Sequence, residues 1–587
     1  MTKMMYPKYC ENQDENFVYL LSENVKIDAT GVLVRNKRGV WKKVANFPIQ
    51  IKHLIRNAND DVFRIVQLGN DKELELDEPQ YIILSNNDFA SAAKFRTALY
   101  KKKRMFKGNN DDLIEILEVM PAVDESVYVE KLGWNNDAHA YFFSNVAIKD
   151  GGVLKPDEFG LVKVGNKSFF MPYVDSITGG VVKDDVADSF QYFENNEITF
   201  NKWFQLLLDA HKHYCILPTC FMIASIFRDI LFDELKFMPI LYVKGVRGSG
   251  KSSIIRNLTA VFGKPQKEVS LRGNQNTPKS MARMLNQKSN SMVWFDEYHN
   301  GIVGNVQGML QSMYDGAGYQ KASFSNDNKV DSVDVQSSLV LTSNYLPENE
   351  IFFTRTILVQ ANETSKTPQQ REAFKKLIEI ERGGLSCICA ELLTYRKLIE
   401  ERFKGMYDTL FEYFFNRLPG IDTRFLDNMA GILAPAMILL DEKKIRMEKL
   451  NFAKGLITMA EENIQEQFRV INGKISNSNF WDVVQTLFYR EIIKKGRDLK
   501  FLREKYKIAI RLKLIYEKYE KEVGSNAKSQ SEIRNSIIKS DFFVCTKDVR
   551  FLSDEVLPNG KTKLTNPTSS LILDYQKLSS ETGVKFD

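Results

Sequence analysis

The chain has 587 residues, of which 43% are hydrophobic and 27% are charged, an ordinary composition for a globular protein of several domains. Six scattered cysteines without a CxxC pair exclude a disulfide framework and favour a reducing cytosol. The net charge of +6 lies wholly in residues 481–587, with 21 basic and 15 acidic side chains. This predicts either contact with phosphate backbones or a solvated helix face.

No segment is predicted to cross a membrane. The longest nearly unbroken apolar run, residues 215–227, is shorter than the roughly 20 residues of a spanning helix. The first residues are polar and lack the apolar run of a signal peptide. We therefore expect a cytoplasmic protein with no membrane partner.

The first 195 residues are predicted to be rich in β-strands. Residues 17–44 and 61–84 alternate apolar and polar side chains between turn signals. A helix is predicted over residues 89–104, followed by more strands separated by glycine pairs. Five of the residues in 101–107 are basic, which indicates either a DNA contact or a solvated helix end.

Helical periodicity begins near residue 199. Two histidines and two cysteines crowd there: His211, His213, Cys215 and Cys220. Positions i and i+2 of a helix do not share a face, so packing of the cysteines in a core is predicted rather than a zinc site.

The pattern GxxxxGK[ST] occupies residues 245–252, after an apolar strand and before a helical segment. Glycines let backbone N–H groups converge on a phosphate, and the helix N-terminus adds partial positive charge. Lys251 is predicted to reach the β- and γ-phosphates, and the Ser252 hydroxyl to ligate Mg²⁺. A chance match is disfavoured by the strand and helix on either side. The predicted nucleotide-binding residues are Gly245, Gly248, Ser249, Gly250, Lys251, Ser252 and Ser253.

A second apolar strand, residues 291–297, ends in Asp296 and Glu297. Strand ends of a parallel sheet converge at one edge, where Asp296 can face the phosphate loop and hold Mg²⁺. Glu297 is predicted to orient and deprotonate the attacking water. The alternative is a strand that ends in acidic turn residues.

The next apolar strand, residues 337–344, ends in Asn344, where an amide can sense the γ-phosphate. Arg355 follows 11 residues later and is predicted to open another short strand. It is either an arginine finger that reaches a neighbouring subunit's γ-phosphate or a partner in a local salt bridge.

Between the acidic strand and the Asn344 strand, residues 314–337 hold two β-like runs around an Asn-Asp-Asn-Lys turn, which predicts a hairpin. Lys321 and Lys329 are candidates for binding the phosphate backbone of DNA. An ordinary solvent-facing hairpin is the alternative.

The segments GVRGSGKSS, VWFDEYHN, LVLTSN and FTRTI, in this order, resemble the superfamily 3/AAA+ helicases of phages and mobile elements. The chain is more similar to the replication helicases of bacterial chromosomal islands and cassette chromosomes, and to Bacteroidetes mobile-element primase-helicases. The resemblance covers roughly residues 130–500. It implies a hexameric ring that translocates on single-stranded or forked DNA with ATP and Mg²⁺ in a bacterial host's cytoplasm. No primase signature is evident, so the expectation is either a separate primase or initiator as a partner or no associated primase at all.

The predicted fold class is therefore α/β. An AAA+-type P-loop core with three αβα layers is flanked by an N-terminal β-rich domain, helices and a C-terminal module that resembles a winged helix. The domains are 1–195 (β-rich, a collar that binds DNA or a partner), 196–236 (helical linker), 237–362 (ATPase core), 363–479 (helical) and 480–587 (basic module). In that module, residues 529–539 are the candidate recognition helix and residues 541–552 the wing.

Three functions fit this pattern. The first is a replicative DNA helicase, and the second is an AAA+ ATPase that loads or remodels a nucleoprotein complex without unwinding. The third is a DNA-binding initiator that uses ATP as an assembly switch. Glu297, Asn344 and Arg355 together argue against an inactive switch, and the hairpin favours the helicase over the loader.

Overall fold

The computed structural model comprises two compact units, Met1–Tyr192 and Phe193–Asp587. It describes residues 18–28, 31–69, 80–120, 123–174, 185–272, 277–300, 302, 304–322, 330–347, 349–361, 366–447, 452–502, 504, 506–524, 527, 529–556 and 562–586.

The first unit consists mainly of strands, in agreement with the alternation of its sequence. Its strands are β1 Val18–Leu20, β2 Val25–Asp28, β3 Gly31–Arg35, β4 Trp41–Ala45, β5 Ile49–Arg56, β6 Val62–Leu68, β7 Gln80–Ser85, β8 Glu125–Tyr128, β9 Gly133–Asn135, β10 Ala140–Phe142, β11 Ala147–Lys149, β12 Gly152–Leu154, β13 Leu161–Val164 and β14 Lys167–Phe170. They form sheets in the orders β1-β2-β3-β4, β13-β14-β8-β5-β6-β7 and β12-β11-β10-β9. The helices are α1 Asn86–Phe89, α2 Ala92–Tyr100, α3 Asn110–Val119 and α4 Asp185–Ser189.

The helix predicted over 89–104 is shorter in the structure. It begins after Ser91, whose side chain accepts a hydrogen bond from the Lys94 amide, and ends at Tyr100. Helix α3 was not predicted; the side chain of Asn109 and that of Asp112 cap its N-terminus reciprocally. Within the basic run, Arg104 lies over the Phe47 ring, so at least this cation packs on the unit's own core.

The second unit opens with helices α5 Phe200–His211, α6 Ile216–Ile226 and α7 Arg228–Leu235. Every residue of α6 is buried. Cys215 and Cys220 are fully buried, which confirms that they pack in the core.

A five-stranded parallel sheet forms the centre of the second unit. Its strands are β15 Ile240–Lys244, β16 Val269–Ser270, β17 Met292–Tyr298, β20 Ser338–Ser343 and β21 Thr356–Gln360, and the hairpin between them is β18 Ala317–Ala322 and β19 Val330–Asp334. The helices are α8 Lys251–Thr259, α9 Pro278–Asn286, α10 Gly304–Ser312 and α11 Glu350–Phe353. The spatial order is β16-β17-β20-β15-β21, and every pairing is parallel. The predicted mixed α/β fold with a parallel sheet is confirmed.

The remaining elements are mostly helical and end in a small sheet. They are α12 Pro368–Arg382, α13 Ser386–Leu393, α14 Arg396–Arg417, α15 Thr423–Asp441, α16 Phe452–Tyr489, β22 Leu499–Phe501, β23 Lys507–Ile510, α17 Leu512–Val523, α18 Gln530–Ile538, β24 Phe543–Val549, β25 Leu552–Val556, β26 Thr562–Leu564, β27 Thr568–Asp574 and α19 Tyr575–Thr582. The boundary predicted between residues 479 and 480 falls inside α16. Side chains from Phe480 onwards pack with β22, β23, β27, α17 and α18 in one core, so this helix joins the two regions.

The candidate recognition helix coincides with α18, and the candidate wing with β24 and the start of β25. Their DNA-binding roles stay predictions.

Helix α15 passes the length and hydropathy test for a membrane span, with 83% of the tested window buried. The bent helix pair Phe200–Ile226 and Arg228–Leu235 passes the same test together. The prediction that no segment crosses a membrane stays a prediction. It considered uninterrupted apolar runs alone, whereas α15 carries a few polar residues within an apolar helix. Burial of α15 inside the unit is typical of a core helix.

Candidate functional site

The loop between β15 and α8 forms a cradle for an anion. Gly248 and Gly250 have φ of +86° and +89°, and Gly250 caps the N-terminus of α8; such angles favour glycine. A Cβ on Gly245 would lie 2.3 Å from Ser249 Oγ and 2.6 Å from the Ala361 carbonyl oxygen. The loop thus curls tightly over the first N–H groups of α8, and a phosphate is the group that such a helix N-terminus binds.

Lys251 and Asn344, predicted from separate motifs, are in contact. Lys251 Nζ donates a hydrogen bond of 2.9 Å to Asn344 Oδ1. Strand β20 lies beside β15 in the sheet, and this places the residue that follows β20 next to the first residue of α8. Burial lowers the pKa of Lys251, and the carboxylates of Asp296 and Glu297 oppose that shift. All four side chains therefore share one electrostatic environment.

The two acids owe their positions to an irregularity in β17. In a regular strand, neighbouring side chains point to opposite faces. Here the register with β20 shifts between Phe295 and Tyr298, and Glu297 has φ of +61°, an uncommon angle for a non-glycine residue. A bulge of this kind re-aims side chains. The bulge explains how two adjacent carboxylates can both lie near enough to Lys251 to raise its pKa.

Asp296 is held by its neighbours and keeps an oxygen available. Its Oδ1 accepts hydrogen bonds from the Thr342 hydroxyl and, at 2.8 Å, from the Glu297 amide. Thr342 in turn accepts from the indole N–H of Trp294 at 2.9 Å. Within the described residues, Asp296 Oδ2 has no hydrogen bond. A carboxylate oxygen and the Ser252 hydroxyl are hard donors that suit Mg²⁺, which typically takes few protein ligands beside phosphates and water. The residues present thus fit a magnesium ion.

Glu297 is engaged by two residues that sequence reasoning missed. Its Oε2 accepts a 2.5 Å hydrogen bond from the Ser270 hydroxyl, and Arg272 Nε lies 3.3 Å from its Oε1. Ser270 ends β16, the neighbour of β17. The sequence signal for this contact is a short strand predicted over residues 268–271, whose end meets the same sheet edge.

Arg355 lies at the other end of the strands from the phosphate loop. Thr356, not Arg355, begins β21, and it pairs with Ile240 at the start of β15, whereas the phosphate loop follows Lys244 at the other end. The Arg355 guanidinium donates to the Gln311 carbonyl oxygen at 2.6 Å and lies 3.3 Å from the Asp315 carboxylate. The local salt bridge is thus present, and a finger role in a neighbouring subunit stays a prediction.

The predicted hairpin is present as β18 and β19, an antiparallel pair in which Lys321 faces Asp331 in register. Lys329 lies outside the described residues. The DNA contacts of both lysines stay predictions.

No protein-family model and no curated protein matches the chain. The chain is similar to a solved structure described as "SCCmec type IV Cch - active helicase", at 14% identity and a TM-score of 0.48, with 95% of this chain and 99% of that chain covered. A putative ATPase from Cytophaga hutchinsonii matches at 13% identity and a TM-score of 0.27, covering 45% and 83%. The NrS-1 C-terminal region matches at 10% identity and a TM-score of 0.25, covering 72% and 88%. Likenesses this distant carry no functional argument.

Proposed function

We propose that this protein is an ATP-dependent DNA helicase that unwinds duplex DNA during replication of a phage or mobile element, in the cytoplasm of a bacterial host. The observation that carries the proposal is the meeting of Lys251, Asn344, Asp296 and Glu297 at one sheet edge beside a phosphate cradle. This set provides what phosphoryl transfer to water requires: a phosphate clamp, a metal ligand, a base and a polar sensor.

In the proposed mechanism, the N–H groups at the start of α8 and Lys251 bind the β- and γ-phosphates. Ser252 and Asp296 would hold Mg²⁺, and the bound ion would neutralise charge on the phosphates. Glu297 accepts the proton of the attacking water. Asn344, now bonded to Lys251, exchanges that partner for the water or the γ-phosphate.

The proposal includes a ring, a hexamer by the family resemblance. Arg355 lies at the far edge of the sheet from its own Lys251, so it can act as a finger only at another subunit's site. Its ion pair with Asp315 and its hydrogen bond to the Gln311 carbonyl oxygen must then open. Lys321 and Lys329 of the hairpin are the proposed DNA contacts, and a separate primase or initiator is the proposed partner.

The alternative is an AAA+ ATPase that loads or remodels a nucleoprotein complex without unwinding. The two functions are separated by measuring ATP hydrolysis and strand displacement together, on tailed and forked duplexes. A helicase shows hydrolysis stimulated by single-stranded DNA and coupled strand displacement. Hydrolysis without displacement on any of these substrates supports the remodeller instead.

Ser270→Ala is expected to raise ATP hydrolysis in the absence of DNA by a few-fold. The Ser270 hydroxyl donates to Glu297 Oε2, and a carboxylate so engaged is less free to accept a proton from water. Steady-state hydrolysis with and without single-stranded DNA is the measurement. Ser280→Ala, which removes a hydroxyl from the N-terminal cap of α9, is the control. A basal rate equal to that of the wild type would show that the Ser270 bond does not restrain Glu297.

A further inference from the structure

A groove runs between helices α8 and α12, next to the phosphate cradle. Its cavity of about 490 Å³ is within the range of small-molecule sites. The α8 wall carries Ser253, Arg256 and Asn257, and the α12 wall carries Phe374, Ile378 and Glu381. The α8 residues have the spacing i, i+3, i+4 and the α12 residues the spacing i, i+4, i+7, and each is the spacing of a single helix face.

The groove begins where the phosphate loop ends. Ser253 follows Ser252, the predicted metal ligand, by one residue. Near the start of α12, Lys366 Nζ lies 3.3 Å from the position that a Cβ on Gly250 would take. Lys366 Nζ also lies 5.0 Å from the centre of the Phe374 ring, so the groove adjoins the phosphate cradle, and a nucleotide with its phosphates in the cradle can reach the groove.

The groove has an apolar side and a polar end. The Phe374 ring meets the His211 ring edge-to-face at 5.8 Å, and the neighbouring Ile378 side chain is 37% exposed. At the polar end, Glu381 Oε1 accepts a 2.5 Å hydrogen bond from Asn257 Nδ2, and Asn257 Oδ1 lies 2.7 Å from His211 Nε2.

Glu381 is a largely buried carboxyl group that can accept a further hydrogen bond. The residue is only 4% exposed, and burial raises the pKa of its carboxyl to about 7. Within the described part of the chain, its Oε2 makes no hydrogen bond. A carboxyl oxygen that lines a cavity in this way can accept a hydrogen bond from water or from a ligand in the groove.

We propose that the groove binds the adenosine part of the nucleotide, with the base against Phe374 and Ile378 and its exocyclic amino group donating to Glu381. This inference rests on the proposed function, because the phosphate cradle must hold the same nucleotide. An aromatic ring and an aliphatic side chain suit the faces of a base, and a carboxyl oxygen suits an amino donor.

The test is a calorimetric titration, in the presence of Mg²⁺, of three ligands: ATP, inorganic tripolyphosphate, and purine riboside triphosphate, which is ATP without the amino group. Phe374→Ala is expected to weaken ATP binding about ten-fold, since stacking of one base on an aromatic ring contributes about 1–3 kcal/mol, and to leave tripolyphosphate binding unchanged. At a pH of about 8.5, where a carboxyl group of pKa about 7 is ionised, the wild type is expected to prefer ATP over purine riboside triphosphate by about ten-fold. Glu381→Gln is expected to prefer ATP by about three-fold or less, since a neutral acceptor bonds more weakly. Glu379→Gln, on the exposed side of α12, is the control.

The outcomes separate this inference from the proposed function. Retained tripolyphosphate binding shows that each variant is folded and that its cradle is intact. If Phe374→Ala and Glu381→Gln bind all three ligands as the wild type does, the groove is not the adenosine site. If the wild type binds neither ATP nor tripolyphosphate, the proposed function fails first, and the groove inference fails with it.

Discussion

Replacement of Lys251 by alanine is expected to lower the rate of ATP hydrolysis by about 10²–10³-fold, the usual cost of removing one preorganised charge donor from a transition state. Lys251 is the first residue of α8, its ammonium group donates to Asn344, and the carboxylates of Asp296 and Glu297 act on its pKa. Steady-state phosphate release at saturating ATP and Mg²⁺ is the measurement.

The control for Lys251→Ala is Lys397→Ala, which removes a lysine from α14 whose side chain is 88% exposed. This variant is expected to hydrolyse ATP at the wild-type rate. If Lys251→Ala also hydrolyses ATP at that rate, the cradle is not the nucleotide site, and the assignment of the surrounding residues is wrong.

Asp482→Ala is expected to lower the free energy of unfolding by about 3–5 kcal/mol, the usual cost of leaving a buried charge without its partner. Lys244 Nζ lies 2.6 Å from Asp482 Oδ1, and the two side chains are only 9% and 2% exposed. Lys244 is the last residue of β15, just before the phosphate loop, and Asp482 lies in α16 at the start of the C-terminal core. Burial raises the pKa of Asp482, and Lys244 opposes that shift. Urea unfolding followed by circular dichroism is the measurement.

A matched control for Asp482→Ala is Glu234→Ala, which breaks the exposed ion pair with Lys404 at 2.8 Å. Exposed pairs contribute about 0–1 kcal/mol, so this loss is expected to be small. The double variant Lys244→Met with Asp482→Leu is expected to recover most of the stability, because it removes both buried charges. A loss below about 1 kcal/mol for Asp482→Ala would mean that Lys244 finds water or another partner, contrary to the buried pair described above.

The local parts of the site could be predicted from sequence, since each depends on a short motif. A glycine-rich loop before a helix, two acids at a strand end and an amide at the next strand end all predict convergence at one sheet edge. The contact between Lys251 and Asn344 agrees with that expectation. The parallel sheet could be predicted from local signals of the same kind, namely short apolar strands that alternate with helices.

The parts that could not be predicted depend on neighbours distant in sequence. The order of the strands decides that Ser270 meets Glu297 and that Arg355 lies at the other edge, and no local pattern encodes that order. The bulge at Asp296 and Glu297 arises from pairing with β20. The contact between Lys244 and Asp482 spans 238 residues, and that between Asn257 and Glu381 spans 124.

The most direct test of the proposed helicase is separation of a forked DNA duplex with ATP and Mg²⁺, run beside Glu297→Gln. Because glutamine keeps the shape of Glu297 and cannot accept the proton of water, the variant is expected to bind nucleotide and DNA and to leave the strands paired, while the wild type separates them. If the wild type hydrolyses ATP but separates no strands, the helicase is contradicted and the remodelling ATPase becomes the better account. If Glu297→Gln unwinds as well as the wild type, Glu297 is not the base.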